Sequence, residues 1–125
     1  MAVSGAVPGG MSLLGSVESH EKWTHLYAHE RLGMERVSLP RGLPAVMGRC
    51  KVGSEEVALV SAHLAPHREG AEQRAAQVRA IVAARGKSSL VLMGDLNVTL
   101  RGTEVGARWL SQRSWVDPGE LDLWR

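Results

Sequence analysis

Two dense apolar blocks dominate the pattern of hydrophobic and polar positions. In "EVALVSAHL" the positions from Val57 to Ala62 are nearly continuous in apolar character. In "SSLVLMGDLNVTL" an apolar run from Leu90 to Met93 stops at Gly94. Short unbroken runs of this kind predict central strands covered on both faces. Upstream, "PAVMGRCKV" carries alternating positions and is separated from "EVALVSAHL" by "GSEE", which predicts a β-hairpin. Between the two blocks lies "REGAEQRAAQVRAIVAARG". There Ala71, Ala75, Val78 and Val82 form one stripe with Ile81 beside it, while Arg74, Gln77 and Arg85 fall toward the margins and outer face. This is the clearest helix of the chain, and Gly86 is its natural stop.

Residues 56–93 thus read strand, helix, strand. A crossover of this type makes the flanking strands parallel and brings both C-terminal ends to one rim of the sheet. The rim would then hold His63, at the end of the first strand, beside Asp95, at the end of the second. The expected class is α/β, with a layered arrangement and a mixed sheet.

The remaining pattern is weaker. "LYAHERLGM" fits a short helix ended by Gly33 or a strand, and "RVSL" fits a short strand running into the turn "PRGLP". The opening "MAVSGAVPGGMSLLGSVESHE" has its apolar run broken by "PGG" and carries no basic leader. Residues 1–20 are expected to be a flexible lead-in, and residues 21–125 a domain.

Composition changes this picture little. The chain has 125 residues, 44% apolar and 22% charged, with a net charge of +2. That suits one small globular domain and permits a polyanionic partner without demanding one. The one cysteine, Cys50, excludes an internal disulfide framework and reads as a buried structural thiol. No stretch reaches membrane-spanning length, and an intracellular location is the default expectation.

The candidate chemistry sits at the predicted rim. Asp95 and Asn97 are two positions apart, which in extended backbone puts both side chains on one face, roughly 7 Å apart. A carboxylate holds a hard cation or takes a proton from water. A carboxamide orients a phosphoryl oxygen without adding charge. Gly94 leaves room for close backbone approach, and His63 is suited to protonating a leaving oxygen. These groups suit metal-assisted cleavage of a phosphoester. Asp and Asn after a strand are common turn formers, and on spacing alone a turn closed by "GDLN" is the simpler reading.

Other groups are less specific. His25 and His29 stand four apart and would share a helix face suited to zinc if that segment were helical; a solvated face is the simpler reading. His20 and His67 have no defined partners. Arg68, Arg74, Arg79 and Arg85 make a basic helix, read as a solvated face before a nucleic-acid patch. Trp109 and Trp115 are expected to pack the region after "GDLN".

The "SAHL" strand end, the Arg74–Gln77 pair of the helix and the apolar strand into "GDLN" occur in the order and spacing of the endonuclease/exonuclease/phosphatase superfamily, which the chain resembles over roughly residues 35–100. The resemblance implies a deoxyribonuclease I-like fold, a four-layer α/β/β/α sandwich. It implies Mg²⁺ as cofactor, held by Asp95 and Asn97. It implies His63 as catalytic histidine, Asp95 as activator of water or metal ligand, and Asn97 as phosphate-orienting group. The substrate class would be nucleic acid or another phosphoester. The family's early metal-binding Glu and its late Ser-Asp-His triplet have no counterpart here, and Asp117 resembles a non-catalytic segment. The chain is therefore expected to be a partial domain. It would be either a metal-dependent, nuclease-like hydrolase or a catalytically incomplete fragment such as a retroelement remnant.

Overall fold

The structure is a computed structural model that describes residues 9–19, 21–66 and 70–97. Two hairpins and one crossover build it. Strands β1 (Met11–Ser19) and β2 (Lys22–His29) form an antiparallel pair. Strands β3 (Glu35–Val37), β4 (Ala45–Val52), β5 (Glu55–His63) and β6 (Ser89–Asp95) form a four-stranded sheet in that order. β4 pairs antiparallel with β3 on one side and with β5 on the other; β6 runs parallel to β5. The α-helix α1 (Ala71–Ala84) makes the parallel crossover. The expected hairpin and strand–helix–strand unit are both present.

The main core lies between the sheet and α1. Ala45 and Met47 of β4 and Ala58, Val60 and Ala62 of β5 meet Val78 and Ile81 of the helix. Met47, Val60 and Ile81 are wholly buried. Each aliphatic side chain buried this way contributes roughly 1.5–3 kcal/mol. Arg49 ties the helix end to the sheet, its Nη2 donating to the carbonyls of Ala84 at 3.2 Å and Arg85 at 3.4 Å. The opposite face of β4 and β5 packs on the β1–β2 pair. Gly48 leaves room there for the ends of the Leu14 and Met34 side chains, which a Cβ would push aside. Helix, four-stranded sheet and two-stranded sheet make three layers among the described residues.

Several expectations are corrected. Residues 11–19, read as part of a flexible lead-in, form β1. Its sequence has little strand signal of its own, and cross-strand pairing with the alternating β2 supplies what propensity lacks. "LYAHERLGM" divides between the end of β2 and a 3-10 turn over Glu30–Leu32. His25 and His29 are therefore on a strand, about 13 Å apart by strand rise, too far to share a zinc ion. His25 instead meets the Ser16 hydroxyl at 2.7 Å and stacks on Trp23.

The burial of both apolar strands also differs from the expectation. One face of β5 is buried and the other half-buried. β6 is an edge strand among the described residues, and its Val91 and Met93 are exposed because the β1–β2 pair covers β4 and β5 but stops short of it. On α1, Val82 faces solvent, whereas Arg74 and Gln77 are buried. His20, His67, Arg68, Trp109, Trp115 and Asp117 lie outside the described residues.

Candidate active site

The rim is built by backbone register. His63 is the last residue of β5 and Asp95 the last of β6, and the parallel pairing makes them direct partners. Gly94, one step earlier, pairs with Ala62 at a φ of 122°. A Cβ there would strike the Ala62 carbonyl oxygen, so glycine allows the two strand ends to close on each other. Nε2 of His63 stands 3.7 Å from Oδ2 of Asp95. That is within ion-pair range and beyond a hydrogen bond. The imidazole is mostly covered, with 16% of its side chain exposed, while Asp95 is 64% exposed. A sheltered imidazole thus stands beside a solvent-facing carboxyl group.

Asn97 joins them by a different route from the one its spacing suggested. The strand stops at Asp95, and Asn97 takes a left-handed conformation at φ 51°. Its backbone N–H donates to Oδ1 of Asp95 at 3.0 Å, the arrangement of an Asx turn. The side-chain Nδ2 then donates to the Leu64 carbonyl at 2.6 Å. "GDLN" does close a turn, and the turn itself folds Asn97 back toward the end of β5. The extended-strand geometry expected for the pair is replaced.

The chain after His63 is held on every side. His63 N–H donates to Pro44 O, and Leu64 N–H to Asp95 O, both at 2.9 Å. Ala65 N–H donates to Oε1 of Gln77, and Ala65 O accepts from Nη1 of Arg74, again at 2.9 Å. Arg74 and Gln77, expected toward the margins and outer face of the helix, are buried. Their i, i+3 spacing was the available signal, since it aligns both on one side of α1 next to the apolar stripe.

The donor set does not fit a resident Mg²⁺. Among the described residues no three His, Cys, Asp or Glu side chains gather closely enough to hold a metal ion. Among the described residues Asp95 is the carboxylate beside His63; its Oδ1 is engaged by Asn97 N–H, and the Asn97 amide is engaged by Leu64. Affinity for a hard divalent ion grows with ligand charge, so this set alone would hold one loosely.

The sequence matches no protein-family model and no curated protein. Among solved structures, the chain is similar to the inositol polyphosphate 5-phosphatase domain of SPsynaptojanin, crystallised in complex with inositol (1,4)-bisphosphate and calcium ion. Identity is 18% and the TM-score 0.44, covering 82% of this chain and 36% of that one. The chain therefore spans about a third of the structure it resembles.

Proposed function

We propose that the rim formed by His63, Asp95 and Asn97 is a phosphoester-cleaving site acting on nucleic acid, in a partial domain of the endonuclease/exonuclease/phosphatase type. The observation that carries the reading is the 3.7 Å approach of His63 Nε2 to Asp95 Oδ2 at the joined ends of parallel strands. Asp95 takes a proton from the attacking water as its oxygen bonds to phosphorus. The protonated His63 ring gives its proton to the leaving oxygen as the P–O bond breaks. Asn97 spends one amide N–H on Leu64 and keeps the second for a phosphoryl oxygen. No step is assigned to Mg²⁺, since the described residues do not make a site for it.

A second reading, a catalytically incomplete unit, is favoured by the lack, among the described residues, of any group of three or more His, Cys, Asp or Glu side chains at the rim. Nicking of supercoiled DNA, with Mg²⁺ and with EDTA, separates the two. Cleavage that Asp95→Ala abolishes supports the hydrolase. Equal residual cleavage by both chains leaves the incomplete unit.

A further inference from the structure

Gln77 and Arg74 come from the first half of α1 and bond to the peptide of Ala65, two residues beyond His63. Both are buried, Arg74 fully and Gln77 to 8% exposure. A long polar side chain is rarely placed there without a partner, and each has one on the same residue: the N–H of Ala65 for Gln77 and its C=O for Arg74. The preceding carbonyl, that of Leu64, is the acceptor of the Asn97 amide. The preceding N–H groups, of Leu64 and His63, go to β6 and to the start of β4. Three consecutive residues are thus fastened to three separate parts of the chain: Pro44 before β4, the end of β6 with its turn, and α1.

We propose that Gln77 and Arg74 are positioning residues for the rim: they lock the peptide of Ala65, which sets the Leu64 carbonyl that orients Asn97 and the backbone that aims the His63 ring. This rests on the phosphoester reading for its purpose, although the clamp itself is independent of it. The helix that crosses from β5 to β6 therefore also supplies the brace for the strand ends it connects. Removing the acceptor at 77 leaves a buried N–H unpaired and releases the segment locally, while the core of Val78 and Ile81 stays filled.

The test compares Gln77→Met, which keeps volume and removes the acceptor, with Gln77→Glu, which keeps an acceptor oxygen. Amide hydrogen exchange of Ala65, the His63 ring proton chemical shifts at one fixed pH and the Asn97 side-chain NH₂ signals are read by NMR. In Q77M, Ala65 exchange is expected to accelerate about tenfold, the His63 ring signals to shift and the Asn97 signals to broaden. Q77E is expected to restore all three. Unchanged His63 and Asn97 signals in a folded Q77M overturn the proposal, as does a folded Q77E that fails to restore them. Should Q77M not fold, the unsubstituted chain decides: unprotected exchange at Ala65 overturns the clamp, and protection that Q77E retains supports it. If the signals respond as expected and no chain cleaves DNA, the positioning role stands and the hydrolase reading falls.

Discussion

His63 and Asp95 are register partners at the ends of two parallel strands, and their side chains approach to 3.7 Å although 32 positions separate them in sequence. The pairing makes them one unit, so removing either should cost nearly as much as removing both. His63→Gln and Asp95→Ala are each expected to slow phosphoester cleavage about 10²–10⁴-fold. Rates for the two single variants and the double variant, on the same DNA substrate, provide the check. A double variant slowed by the product of the two single effects would mean that the residues act independently.

Asn97 contributes through its backbone and its side chain, and substitutions separate the two. Asn97→Gly keeps the left-handed backbone and loses the bond to Leu64, at a cost of about 1 kcal/mol in urea unfolding. Asn97→Val loses that bond and also forces a β-branched residue to positive φ, adding roughly 1–3 kcal/mol. Equal stability of the two variants would show that the turn tolerates any residue.

Gly94 is the hinge of the close approach between β5 and β6. Gly94→Ala combines an unfavourable φ with a collision against the Ala62 carbonyl, and about 3 kcal/mol of destabilisation is expected. Its melting temperature, set against that of an exposed Gly86→Ala variant whose Cβ meets nothing, isolates the collision from the strain of positive φ.

Arg49 bears two kinds of interaction of unequal value. Its Nη2 satisfies carbonyls at the end of α1, while its Nε lies 3.2 Å from a carboxylate oxygen of the half-exposed Glu56. That ion pair lacks hydrogen-bond alignment. Arg49→Met is expected to lower stability by about 1–2 kcal/mol and Glu56→Ala by no more than about 0.5 kcal/mol. Chemical denaturation of both chains measures the difference; comparable losses would assign the stabilisation to the ion pair.

Ile81 and Val82 are neighbours on α1, about 100° apart around the helix axis, and the first is buried while the second is exposed. Ile81→Ala is expected to cost about 2–5 kcal/mol through the cavity it leaves, and Val82→Ser to stay within about 0.5 kcal/mol. Similar denaturation midpoints for the two would contradict the observed facing of the helix.

Local pattern was enough for the hairpin of β4 and β5, the helix and the parallel crossover, because apolar periodicity and turn residues act over a few positions. The meeting of His63 with Asp95 followed from that unit, since a crossover brings both strand ends to one rim. Other features depended on contacts distant in sequence. β1 exists through its pairing with β2. Val91 and Met93 are exposed because the second sheet stops short of β6, which no residue of β6 announces. Arg74 and Gln77 are buried because the peptide of Ala65, on a different element, offers them hydrogen bonds that outweigh their preference for water. Asn97 turns back because the Asp95 carboxylate and the Leu64 carbonyl meet only once β5 and β6 are side by side. The sequence by itself determined the β4–β5 hairpin, α1 and the strand β6; the tertiary structure decided β1 and which polar groups are satisfied by one another, because those partners become neighbours only after the layers have packed.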